Sequence, residues 1–153
     1  MAHRRAEPER RASLIDPQFT SGPYRGQPFV TAARHNYTYG ADYPLATALG
    51  TVKLHLDYNW RDDVIFFSPV NTSPVVFTPL TAGQIASNTQ PGFGLLAAMA
   101  TLKLNKTTRL SVWGKNLTGT YYWARSNSFY TQGYNTQTPG DPRTFGVTLD
   151  YRF

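Results

Sequence analysis

The chain of 153 residues contains no cysteine. That removes a disulfide frame and any thiolate metal site. Charge is sparse as well, with Asp, Glu, Lys and Arg together making up 16% of the residues. No apolar run is long enough for a transmembrane helix. No signal peptide is visible, because the basic N-terminus leads into Pro8 and polar residues rather than an apolar stretch. No G-x-S-x-G nucleophile turn occurs. His3, His35 and His55 lack metal-ligand spacing, so no metal is expected. The stretch "GFGLLA" (Gly92 to Ala97) fits a loose dinucleotide pattern, but a polar loop with Pro91 precedes it and Leu117 stands where an acid is needed. No cofactor is expected. Asp62 and Asp63 adjoin a strand end and read as solvated loop acids, and the N-x-T/S matches at Asn36, Asn71, Asn105 and Asn116 read as chance.

Aromatic residues, in contrast, are plentiful at 14%, with ten Tyr, nine Phe and three Trp. Tyr and Trp suit surfaces that are half apolar and half wet, membrane interfaces among them. The net charge is +6. Its densest part is the head "MAHRRAEPERRA", where Glu7 and Glu9 interrupt the basic residues and no aromatic residue is interleaved for base stacking. It reads as a solvated, disordered terminus, and no nucleic-acid partner is expected. Residues 1–32 carry four prolines and no useful periodicity, so an irregular segment is expected there, with the strands in 33–153.

From His35 onward the pattern has a period of two. In "HNYTYGADYPL", Tyr37, Tyr39, Ala41, Tyr43 and Leu45 share one face. In "GTVKLHLDYNWR", Val52, Leu54, Leu56, Tyr58 and Trp60 oppose Lys53, His55, Asp57, Asn59 and Arg61. "GFGLLAAMATLKLNK" aligns Leu96, Ala98, Ala100, Leu102 and Leu104; "TRLSVWGKNLTGTYYW" aligns Leu110, Val112 and Gly114. The closing "RTFGVTLDYRF" puts Phe145, Val147, Leu149, Tyr151 and Phe153 on one face. The connections alternate in length. "ATALG" and "NKTT" are tight turns, while roughly Ser68 to Pro91 and Ser126 to Pro142 are long loops. Short turns at one end and long loops at the other are the signature of an outer-membrane barrel. The expected fold is therefore all-β: an antiparallel up-and-down meander of about five long strands, part of a transmembrane β-barrel.

The last 60 or so residues resemble the C-terminal end of a TonB-dependent outer-membrane receptor. "LSVWGKNLTGTYY" matches the family's penultimate strand at Asn116, Leu117, Thr118 and Tyr121, with Gly119 where Asp is usual. "PRTFGVTLDYRF" matches the closing strand at Pro142, Arg143 and the terminal aromatic Phe153. "GADYPLATALGTVKLHLDYNWRDD" resembles the preceding hairpin. The resemblance implies a location in the cell outer membrane and energy-dependent uptake of a scarce nutrient of the siderophore-iron, cobalamin or glycan class, with no enzymatic step. It implies that Phe145, Val147, Leu149, Tyr151 and Phe153 form the signal read by the barrel-assembly machinery. Outer-membrane lipid and a small-molecule nutrient are the other implied partners, and the TonB energy-transducing complex joins only in a full-length receptor. A complete receptor of that kind has about 22 strands around a plugged lumen. The chain is thus expected to be a fragment, not transport-competent alone. Two other readings stand beside it: a small soluble β-rich module binding through a basic aromatic surface, and a remnant that folds poorly.

Overall fold

The structure is a computed structural model that describes residues 8–22, 24–67, 82–129 and 134–153. Among these residues, in chain order, lie β1 (Glu9–Leu14), β2 (His35–Thr47), β3 (Gly50–Arg61), β4 (Val64–Ile65), α1 (Ala82–Asn88), β5 (Thr89–Gln90), β6 (Phe93–Lys103), β7 (Thr108–Lys115), β8 (Trp123–Phe129), β9 (Tyr134–Pro139) and β10 (Thr144–Tyr151). The fold is all-β. Six strands form one antiparallel sheet in the order β1-β2-β3-β6-β7-β10, and the pairs β4-β5 and β8-β9 form two small ribbons. The large sheet is open: β1 and β10 are its edges, and among the described residues nothing pairs with their outer sides.

The register explains why these strands assemble. Alternation gives each strand one apolar face, and the pairing stacks those faces in rows. Ala41, Leu56, Ala98, Gly114 and Phe145 lie side by side, then Tyr43, Leu54, Ala100, Val112 and Val147, then Leu45, Val52, Leu102, Leu110 and Leu149. A one-residue slip at any interface would scatter these rows over both faces. Where a glycine leaves a gap, an aromatic ring fills it. Tyr58 covers Gly94, and the Trp113 indole covers Gly146, its direct partner across β7 and β10. Any Cβ at either glycine would fall inside a ring.

Four features depart from the sequence reading. The sheet has six strands rather than five, because Glu9–Leu14, expected to be irregular, adds to the outer side of β2. That pairing is made by backbone groups, so the side chains of "ERRASL" needed no hydrophobic period to allow it. The fourth strand stops at Lys115, because Asn116 adopts a left-handed conformation (φ 46°) that a strand cannot continue through. The third stops at Lys103, leaving Leu104 in the turn. The long connections are also more built than plain loops: one carries β4, α1 and β5, the other the β8-β9 hairpin. Their residues 68–81 and 130–133 lie outside the described residues.

The two ends of the sheet differ. One end holds the tight turns at Ala48–Leu49 and after Lys103, together with the C-terminus; the other holds the described parts of the connections, residues 15–22, 24–34, 62–67, 82–92, 116–129 and 134–143. Burial follows this asymmetry. Among the described residues the buried hydrophobic side chains are Ala33 and Val64, both at the loop end, joined there by the buried polar side chains of Asn88, Gln90, Asn116 and Ser126. Among the described residues the sheet has no second layer over its apolar face. Leu56, Val112 and Phe145 are 46%, 54% and 67% exposed.

Candidate functional site

The sheet presents two chemically opposite faces. On the apolar face, a middle band of Val, Leu and Ala is bordered by rings. Toward the loop end, Tyr37 lies 5.4 Å from Trp60, and Tyr39 stands opposite Tyr58. Toward the turn end, Tyr151 and Phe153 meet edge to face at 5.3 Å. Phe145, Val147, Leu149 and Tyr151, expected as an assembly signal, are 59–68% exposed along β10, and Phe153 is fully exposed beyond it. They share one face at one free edge.

The other face carries a ladder of polar contacts from strand to strand. Thr38 Oγ1 donates to Asn59 Oδ1 at 2.9 Å, and the Asn59 amide donates to the Asp57 carboxylate. His55 Nδ1 meets Asp42 Oδ1 at 3.0 Å. Thr101 and Ser111 join their hydroxyls at 3.0 Å, and Trp113 Nε1 donates to Thr148 Oγ1 at 3.2 Å. Buried polar groups need partners, and Ser111, which is buried, finds Thr101. Asp42, Asn59 and Thr148 are exposed and order a wet surface, and Leu95, Ala97 and Met99 interrupt the contacts on β6.

At the loop end, short-range polar bonds fix the backbone. Asn88, the most buried side chain, accepts from the Phe66 and Phe67 amides at 3.1 and 2.8 Å and donates to the Phe67 carbonyl at 2.8 Å. Gln90 Oε1 accepts from the Trp123 amide at 2.7 Å, tying β5 to β8. His35 at the start of β2 meets Asp62 just after β3, with Nδ1 to Oδ2 at 2.7 Å. The hydrogen bond from His35, helped by the Asp63 backbone N–H at 3.0 Å, holds the Asp62 carboxyl below its ordinary value.

The residues that carry the family resemblance fall in two segments that the structure brings together. Asn116 is 6% exposed; its Nδ2 donates to the Thr120 and Asp141 carbonyls at 2.9 and 3.0 Å, and its Oδ1 accepts from the Thr120 amide at 2.9 Å. Leu117 donates its N–H to the Leu96 carbonyl at 2.8 Å and covers Gly114. The Thr118 and Thr120 hydroxyls lie 2.9 Å apart. Tyr121 is exposed and packs edge-on to Trp123 at 5.0 Å. Pro142 is exposed, and Arg143 lies over the Phe145 ring at 5.9 Å. Asn116 thus clamps the turn after β7 to the segment entering β10, a structural role.

Sequence reading missed Asn88 and Gln90, which periodicity cannot single out inside "SNTQPG", and the His35–Asp62 pair, whose members lie 27 residues apart. Among the described residues no three His, Cys, Asp or Glu side chains cluster as metal ligands. No helix there is long and apolar enough to cross a membrane, which leaves crossing by strands open. No family model matches the chain, nor does any curated protein or solved structure.

Proposed function

We propose that this chain is the C-terminal wall of a TonB-dependent outer-membrane receptor, whose apolar sheet face meets lipid and whose polar face meets the barrel lumen. The resemblance in Asn116–Tyr121 and Pro142–Phe153 suggests the family. The observation that carries the reading is the exposed apolar face, continuous over β2, β3, β6, β7 and β10, with rings along its loop end on β2 and β3 and at the C-terminal corner of β10. Its height suits a bilayer. From the Tyr37 row to the Leu45 row is eight residue steps. At about 3.3 Å per residue that is about 26 Å along the strand, or about 20 Å of apolar height at a tilt of about 40°, close to the apolar band of about 25 Å in outer-membrane barrels. Lipid covers such a face without a second protein layer, and water on the other side suits the Thr38–Asn59–Asp57 and His55–Asp42 contacts. In a complete receptor the sheet would form part of the path for a scarce nutrient, with no bond made or broken by the protein.

The test is partition into lipid. The chain, refolded with short-chain phosphatidylcholine vesicles, should float with them and acquire strand structure there. Leu54→Arg places a cation in the middle of the apolar face, at a cost of about 2–4 kcal/mol in a bilayer, and should cut flotation sharply. Lys53→Leu, on the other face, should leave it unchanged. Equal behaviour of the two variants would remove the lipid-facing assignment.

A further inference from the structure

The two open edges of the sheet fit each other. Ile15 donates its amide to Arg34 at 3.0 Å and Arg152 donates to Thr107 at 2.9 Å, which fixes the direction of every backbone group along both edge strands. Odd positions of β1 bond to β2, so Arg10, Ala12 and Leu14 turn their N–H and C=O groups outward. Even positions of β10 bond to β7, so Val147, Leu149 and Tyr151 do the same. Six strands lie between and including the edges, an even number, so β1 and β10 run in opposite directions. β10 of one copy can therefore pair antiparallel with β1 of the next, with all loops at the same end. Unpaired edges of this kind are templates for another strand.

The side chains favour one register, the one in which the charges of both edges are paired. Apolar faces coincide only when Arg10, Ala12 and Leu14 stand opposite odd positions of β10. Of the registers that meet this condition, one places Leu14 opposite Val147, Ala12 opposite Leu149, Arg10 opposite Tyr151, Ser13 opposite Thr148, Arg11 opposite Asp150 and Glu9 opposite Arg152. Every charge then faces an opposite charge or an aromatic ring. A shift of two residues one way sets Glu9 against Asp150, and two residues the other way sets Arg11 against Arg152. Directly opposed like charges destabilise a strand pair. Glu9 and Arg11 now touch each other at 3.4 Å with both side chains exposed, a contact weak enough to exchange. β2 offers no rival edge beyond β1, because Pro44 lies on its outer, non-bonding side and has no N–H to give.

We infer that the β10 edge docks a second copy of this chain through its β1 edge, in the register that sets Asp150 against Arg11. The contact is head-to-tail, so copies add until a ring closes. This stands apart from the receptor reading, since edge pairing needs no lipid on the apolar face.

Because the chain has no cysteine of its own, disulfide cross-linking reads the contact directly. Ser13 and Thr148 would form a close, non-hydrogen-bonded pair suited to a disulfide. Copies carrying Ser13→Cys, mixed with copies carrying Thr148→Cys in decyl maltoside and oxidised, should give linked dimer. Ala12→Cys with Leu149→Cys should do the same, which covers the case in which Thr148→Cys disturbs its own strand. Ser13→Cys with Asp150→Cys, two residues out of register, should give about tenfold less. Adding Arg11→Asp to the Ser13→Cys copy should cut the yield, and adding Asp150→Arg to the Thr148→Cys copy as well should restore it. Three results would overturn the inference: no linked dimer from either pair, equal yields from all pairs, or closure of a Ser13→Cys/Thr148→Cys chain on itself while the mixture stays unlinked. Flotation on vesicles is read separately, so failure of the receptor reading leaves this result standing.

Discussion

At the scale of single residues, the loop end is held by side chains that hydropathy does not single out. Asn116 was visible through a motif, but its three bonds to Thr120 and Asp141 depend on a chain fold that no local pattern encodes. Asp62 was read as a solvated acid, and the structure gives it His35. Its lowered pKa has a pH consequence with a definite sign. A carboxyl depressed in the folded state contributes stability above its unfolded value of about 3.9 and loses it as pH falls through the lower folded value. Wild-type chain in detergent should therefore exceed Asp62→Asn in urea midpoint at pH 6, and the gap should narrow as pH is taken below about 3.9. A gap that stays constant throughout the acid titration would mean that the carboxylate is not the source.

At the scale of elements, β2, β3, β7 and β10 were legible because they alternate, and period two is the strongest local signal a strand can give; β6, with Leu95, Ala97 and Met99 on its second face, is more uniformly apolar. β1 was not legible: an added edge strand is specified by its neighbour's free backbone, here β2 from His35 to Gly40, and not by its own side chains. Nor were β8 and β9, whose "WARSNSF" and "YNTQTP" show no sustained apolar alternation. Register within the sheet is pinned by ring-on-glycine contacts, and these are testable. Gly146→Ala would place a methyl where the Trp113 indole lies and displace the ring from Thr148. We expect a loss of about 1–3 kcal/mol, as for overpacking, measured as the unfolding midpoint in detergent. Thr148→Ser keeps the acceptor and should be nearly neutral. If the glycine variant is as stable as wild type, Trp113 does not need the space.

At the scale of the whole molecule, buried hydrophobic side chains among the described residues number two, Ala33 and Val64, while one sheet face stays apolar and open. A sheet ordinarily needs a second layer to bury that face. In detergent-free buffer the chain should sediment as a broad distribution rather than as a monomer, and a narrow monomer peak with a sharp unfolding transition there would show that the face is satisfied internally. The alternation of tight turns and long connections also sets an order of events in time. The β2-β3 and β6-β7 pairs are each closed by a few residues, and such hairpins form in about 1–10 μs. Joining β3 to β6 must close residues 62–92, and joining β7 to β10 must close residues 116–143. Closure entropy grows only with the logarithm of length, so these two steps cost nearly the same. Neither hairpin needs the other to begin. The chain is thus kinetically two ribbons that form early, and the facing edges of β3 and β6 and the outer edge of β7 stay vacant until the two long closures are made.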